Sequence, residues 1–189
     1  LRGPDRLLDG ATTDSRAVTP GSLFVPIVAE RDGHDFIPEA LAAGAGAYLC
    51  RRGTDPGSAI DGRSPTSDVT VLEVADTGEA LLAAGSFARS TLGDRRVEVV
   101  IGITGSVGKT STKDLVAAAC RRARPTHANP SSFNNELGLP LTLLNAPDDS
   151  EILVLEMGAR GIGHVAELCK VARPTIGMVT RVALAHGVP

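Results

Sequence analysis

The chain has 189 residues, 42% hydrophobic and 22% charged, enough for one large domain or two small ones at about 100–200 residues per domain. With 19 basic and 22 acidic residues the formal net charge is -3, which argues against a broad electrostatic footprint for nucleic acid or an anionic membrane surface. No apolar run reaches the roughly 18 residues of a bilayer span, and aromatic residues at 3% with no Trp argue against stacking platforms for single-stranded nucleic acid.

The predicted elements fall into two segments that join near Gly93-Asp94-Arg95-Arg96. In the first, Leu23 to Val28 reads as a strand, Phe36 to Ala43 as a short helix and Ala47 to Cys50 as a second strand. Residues 51–68, rich in Gly, Pro, Ser and Asp, read as a surface excursion, and Val69 to Val74 as a further strand. Asp76 is a candidate N-cap for a helix to about Leu92, with Glu79 favourable in its first turn.

The second segment opens on Val97 to Ile103, a continuous apolar strand of the kind covered on both faces. A glycine-rich turn leads into a helix from about Lys109 to Arg122, with an apolar stripe at Leu115, Val116, Ala119 and Cys120. A polar Asn/Ser stretch, a helix-like run from Leu137 to Leu144, a strand Ile152 to Leu155, a helix Gly163 to Val171 and a strand Ile176 to Val179 follow. Alternating strands and helices predict a doubly wound parallel sheet. Cys50, Cys120 and Cys169 form no C-x-x-C pair and read as reduced core thiols of a cytoplasmic protein. Leu1-Arg2-Gly3 and Gly187-Val188-Pro189 read as cuts through a longer protein.

The turn Thr104-Gly105-Ser106-Val107-Gly108-Lys109-Thr110 is the most informative stretch. It misses the strict G-x-x-x-x-G-K-[ST] phosphate loop, because Ile103 stands five residues before Gly108. Its context of buried strand, small-residue turn and helix still suits an anion, whose charge complements backbone N–H groups and the helix dipole. A Lys in the first turn of a helix costs about 0.3–1 kcal/mol against that dipole, so Lys109 makes sense beside a phosphate. Thr110 would then offer a hydroxyl to Mg2+. An ordinary strand-to-helix turn with an exposed Lys is the alternative.

Two further residues stand near strand ends, where parallel sheets place their function. Glu156 follows Ile152 to Leu155, where an acid is costly unless it reaches solvent or a cation such as Mg2+. His186 follows the last strand and could hold a metal or orient a substrate. Ser131-Ser132-Phe133-Asn134-Asn135-Glu136 gathers hydrogen-bonding groups before an apolar helix, and either helix capping by Ser132 or Asn134 or substrate binding would account for them.

Thr104 to Thr110, Ser132 to Thr142, Glu156-Met157-Gly158-Ala159 and Ala185-His186 resemble, in order and spacing, the Mur ligases, ATP-dependent amide-forming enzymes of peptidoglycan precursor synthesis. The Glu156 and Asn134-Asn135-Glu136 segments are most similar to members that join D-alanyl-D-alanine to UDP-N-acetylmuramoyl-tripeptide. Asp14-Ser15-Arg16, Pro20 to Phe24 and Asp32-Gly33-His34-Asp35 are similar to the family's UDP-substrate domain.

The resemblance implies a small mixed α/β UDP-substrate domain over residues 1–94, then part of a P-loop-type parallel-sheet ATPase domain over 95–189, with the C-terminal domain absent. It implies that Thr104, Gly105, Ser106, Val107, Gly108, Lys109, Thr110 and Ser111 bind ATP. Thr110, Glu156 and His186 would hold Mg2+, and Lys109, Glu156 and His186 would be catalytic. Ser15, Arg16, His34, Asn134 and Asn135 would bind substrate. The implied reaction moves the γ-phosphoryl group to a substrate carboxylate, and the amine of D-alanyl-D-alanine then attacks the acyl phosphate. The family pattern has Asn where this chain has Arg181, and its modified lysine would lie beyond Pro189. A monomer without ligase turnover of its own is expected. A folylpolyglutamate-type ligase and a non-catalytic nucleotide-binding module are the competing readings.

Overall fold

The computed structural model describes residues 1–54, 68–131 and 133–182. Its contacts divide the chain into two compact units, Leu1–Leu81 and Leu82–Pro189.

The first unit is built on four parallel strands, β1 (Ala11–Thr12), β2 (Leu23–Phe24), β3 (Ala47–Arg51) and β4 (Thr70–Val74), in that spatial order. Only two residues of the predicted strand from Leu23 to Val28 pair in the sheet. Pro26, two residues after β2, has no N–H to offer a ladder. Helix α1 (Ile37–Ala42) links β2 to β3 with Pro38 in its first turn, and Ile37 and Ala40 pack with Phe24, Tyr48 and Val71 as the core. Two short 3-10 turns, Ser15–Ala17 and Gly33–Phe36, were not legible as elements. Each is capped by an aspartate, Asp14 accepting from the Arg16 N–H and Asp32 from the His34 N–H, both at 3.0 Å.

Helix α2 (Thr77–Arg95) starts where predicted, the Asp76 carboxylate accepting from the Glu79 N–H at 2.8 Å. The sequence places the domain join at the far end of this helix, whereas the compact units divide within it. Leu82, Ala88 and Leu92 of this helix pack into the second unit's core.

The second unit has the parallel sheet β6 (Thr126–Ala128), β7 (Ile152–Glu156), β5 (Val99–Thr104) and β8 (Ile176–Val179), in that order. The short polar strand β6 lies in the stretch read from sequence as irregular. Helices α3 (Lys109–Arg121), α4 (Gly138–Leu144) and α5 (His164–Ala172) complete the layers. Val100, Leu153 and Leu155 pack in one core with Leu92, Leu139 and Leu168, while Ile101, Ile103 and Val154 pack in another with Ala117. That alternation along β5 and β7 is what a sheet covered on both faces requires. The crossover from β5 runs toward β6 and that from β7 runs to β8, so the strand order switches between neighbouring β5 and β7. Ligands in such sheets bind at the carboxyl ends beside the switch.

The inward stripe of α3 corrects the predicted one. Lys113 and Ala117 are buried, Val116 and Cys120 half-buried, and Leu115 is 73% exposed. Cys50 is buried, Cys120 and Cys169 are half-buried, and none of the three forms a disulfide. No helix among the described residues is long and apolar enough to cross a membrane.

Gly85 in α2 marks a close helix approach, since a Cβ there would stand 2.6 Å from the Pro140 Cα of α4 and closer still to its Cβ. Alanine gains up to about 1 kcal/mol of helix propensity. Overpacking against a backbone that cannot yield costs about 1–3 kcal/mol. Gly85→Ala should therefore lower stability by about 1–2 kcal/mol in urea unfolding, and a stabilised variant would contradict this packing.

Candidate functional site

The glycine-rich turn leaves the carboxyl end of β5, and Glu156 ends the neighbouring β7. The register places Ile103 opposite Glu156. The Met157 N–H donates to the Ile103 carbonyl at 2.8 Å, and the Thr104 hydroxyl donates to the Met157 carbonyl at 2.9 Å. The turn and the acid are thus adjacent at the sheet edge where the strand order switches.

The turn itself needs its glycines. Gly105 has φ 135° and Gly108 φ 86°, both in the region that favours glycine, and a Cβ on Gly105 would collide with the Thr180 hydroxyl. Behind the turn, the Ser106 N–H donates to the Arg181 carbonyl at 2.7 Å, and the Thr180 hydroxyl reaches the Val107 carbonyl at 2.8 Å. The Ser106 bond uses only the backbone of Arg181, so the departure from the family's Asn leaves this anchor intact. Gly108 is the N-cap of α3 and no side chain caps that end. First-turn N–H groups of a helix lack intrahelical partners, so this end suits an anion. Lys109, half-buried, lies back across the turn, its ammonium donating to the carbonyls of Gly105 at 2.8 Å and Ser106 at 3.4 Å. Thr110 and Ser111 are exposed in the first turn of α3.

Glu156 is 1% exposed. Its Oε1 accepts from the Asn134 amide at 2.6 Å, whereas Oε2, also buried, has no hydrogen-bond partner among the described residues. A buried carboxylate oxygen without a partner costs several kcal/mol. That cost favours the cation reading over a solvated strand-terminal acid, and a hard carboxylate oxygen fits Mg2+. Thr110 lies in the first turn of α3, and His186 lies outside the described residues.

Of the Asn/Ser stretch, Asn134 faces the acid and its carbonyl accepts from the Gly158 N–H at 2.7 Å. A Cβ on Gly158 would stand 2.8 Å from Asn134 Oδ1, so the glycine permits this approach. Asn135 caps a helix. Its Oδ1 accepts from the N–H groups of Leu137 at 3.2 Å and Gly138 at 2.8 Å, fixing the start of α4. Ser132 lies outside the described residues. Two buried residues were missed altogether. Asn129, 1% exposed, clasps the Glu156 backbone, accepting from its N–H at 2.8 Å and donating to its carbonyl at 3.1 Å, and also donates to the Phe133 carbonyl at 2.8 Å. Lys113, 3% exposed, donates to the Asn129 carbonyl at 2.9 Å. A Pro-bounded strand followed by Asn was the only available signal for the first, and a Lys on an inward helical position for the second.

In the first unit Ser15, Arg16 and Glu39 line one cleft together with Arg31 and Phe36. Arg16 forks onto Asp14 through Nε at 2.9 Å and Nη2 at 2.7 Å, and this hydrogen bonding holds the Asp14 carboxyl down at about 2. The Arg31 guanidinium lies over the Phe36 ring at 4.6 Å, a cleft cation the sequence reading passed over. Ser15, buried, donates to Glu39 at 2.9 Å. His34 is a brace, contrary to the expectation that it offers a donor to substrate. Its Nε2 accepts from the Arg51 N–H at 3.0 Å, so Nδ1 carries the proton and donates to Asp32 at 2.6 Å. The His34 backbone N–H, and after it the ring bond, lower the Asp32 pKa.

Residues 103–187 match the Mur ligase middle domain. Over 183 residues the chain is 38% identical to UDP-N-acetylmuramoyl-tripeptide--D-alanyl-D-alanine ligase of Synechocystis, covering 96% of this chain and 38% of that relative. Among solved structures it is similar to MurF of Acinetobacter baumannii, at TM-score 0.79 and 29% identity over 97% of this chain and 37% of that one. It is also similar to the MurF ligase of Thermotoga maritima in complex with ADP, at TM-score 0.73 and 36% identity over 94% of this chain and 38% of that one. The chain thus spans well under half the length of the proteins it matches. Residues 103–187 thus match the Mur ligase middle domain, and along nearly its whole length the chain is similar to Mur ligases.

Proposed function

We propose that this chain carries the nucleotide site and the UDP-substrate unit of a ligase that joins D-alanyl-D-alanine to UDP-N-acetylmuramoyl-tripeptide at the expense of ATP. The observation that carries the reading is the buried, half-unpaired Glu156 carboxylate next to an uncapped helix N-terminus bearing Lys109. An anion and a cation are both called for at one sheet edge, as a nucleotide phosphate chain with its metal would supply. The ADP complex of the Thermotoga maritima relative supports the nucleotide assignment.

In this reading the α3 N-terminus and Lys109 bind the phosphates of ATP, the ammonium moving from the Gly105 and Ser106 carbonyls to the incoming charge. Thr110 and Glu156 would hold one Mg2+ and His186 would help to hold a second, and such cations supply charge neutralisation between a triphosphate and a substrate carboxylate. Asn134 holds one Glu156 oxygen and leaves the other for the cation. The γ-phosphoryl group passes to the substrate carboxylate, and the amine of D-alanyl-D-alanine displaces phosphate from the acyl phosphate. No nucleophile of the protein is required. Arg16 and Arg31, on one cleft of the first unit, suit the diphosphate of the UDP substrate.

Calorimetric titration of UDP-N-acetylmuramoyl-tripeptide into the chain tests the substrate assignment. Arg16→Ala should weaken binding about tenfold or more, the loss of one charge-assisted contact. A folded chain that binds none of this substrate would contradict the assignment.

A further inference from the structure

Lys113 stands one turn beyond Lys109 on α3, and its ammonium is buried. An ammonium is kept out of water only where it is paired and hydrogen-bonded, so its partners indicate what it does. They are the carbonyls of Asn129 at 2.9 Å and Ser131 at 3.4 Å, with the Asp114 carboxylate at 3.0 Å. Both carbonyls belong to the strap that runs from β6 to α4. That strap is bent at Ser131, whose φ of 45° is a left-handed conformation that a residue with a side chain adopts at a cost. The strap in turn grips Glu156 twice, through the Asn129 clasp on its backbone and the Asn134 amide on its carboxylate.

We propose that Lys113 is a positioning residue for the cation site: it fastens the bent strap to α3 and so fixes the Glu156 carboxylate relative to the helix that bears Lys109 and Thr110. Neither the anion nor the metal touches it. An apolar residue of similar length could fill the space, but it could not draw two carbonyls of a strained segment toward one point. The inference rests on the nucleotide reading above and adds to it a link between the helix that takes the phosphates and the strand that takes the metal.

The test compares the chain with Lys113→Met and Lys113→Gln, measuring ATP affinity by calorimetry with and without Mg2+ and the resonance of Mn2+ bound with ATP. Lys113→Met should cut the metal-dependent gain in ATP affinity by roughly 10–100-fold while metal-free ATP affinity stays within about twofold, as for other groups that orient a metal ligand. The Mn2+ spectrum should change, and amide exchange at Glu156 and Gly158 should quicken. Lys113→Gln keeps one donor and should fall between, and it carries the test if the Met variant does not fold. A folded variant with the full metal-dependent gain overturns the proposal. So does an equal loss with and without metal, which would assign Lys113 to general stability. If the unaltered chain itself gains nothing from metal, the nucleotide reading falls and this proposal with it, an outcome distinguished by failure of the parent and not of the variant alone.

Discussion

Lys109→Ala should weaken ATP binding sharply while leaving the fold in place. The ammonium supplies charge-assisted contacts worth about 1.5–3 kcal/mol to a bound phosphate, so affinity should fall by about 10–100-fold. In the absence of nucleotide the same ammonium opposes the α3 dipole, at a cost of about 0.3–1 kcal/mol, partly offset by its bonds to the Gly105 and Ser106 carbonyls. Thermal stability should therefore shift by less than about 1 kcal/mol. The two readings, calorimetry and thermal unfolding, should separate cleanly in this variant. In the full-length protein, ATP-dependent ligation should be lost. A folded Lys109→Ala chain with unchanged ATP affinity would remove the turn from the mechanism.

The second large effect is on stability. Asn129→Ala takes away three side-chain hydrogen bonds and strands the N–H and carbonyl of Glu156 and the carbonyl of Phe133. Each unpaired buried group costs about 1–3 kcal/mol, and with some relief from entering water the loss should be about 3 kcal/mol. Urea unfolding of the second unit measures it. The loss should be accompanied by faster amide exchange at Glu156, because its N–H donates to Asn129. A change below about 1 kcal/mol would mean that the clasp is replaceable by solvent.

The sequence was most legible where apolar periodicity was strong. Strands β5, β7 and β8 and helices α2 and α3 lie within a residue or three of their predicted bounds, because continuous apolar runs and the Asp76 cap leave little choice. Strand β6 was not legible: three residues, Thr126-His127-Ala128, are too short and too polar to show a period, and only pairing with β7 makes them a strand. The α3 stripe was misread because Lys113 looks like a surface residue. The actual inward set at 113, 116, 117 and 120 has helical spacing once a buried Lys is allowed. At the site, the place of the turn between β5 and α3 and of Glu156 at the end of β7 was legible from residue type and position. The His34 brace and the Asn135 cap were not, since a donor or acceptor reads the same in a sequence whether it meets a ligand or the protein's own backbone.

The most direct test of the central claim is ATP titration of the unaltered chain and of Glu156→Gln, each with and without Mg2+. The unaltered chain should bind ATP more tightly with the metal. Glu156→Gln should lose roughly 10-fold or more of that gain, keep its metal-free affinity, and be no less stable without metal, since a buried charge has been removed. A folded chain that binds no ATP in the presence of Mg2+, or a Gln variant that keeps the whole metal-dependent gain, would contradict the account.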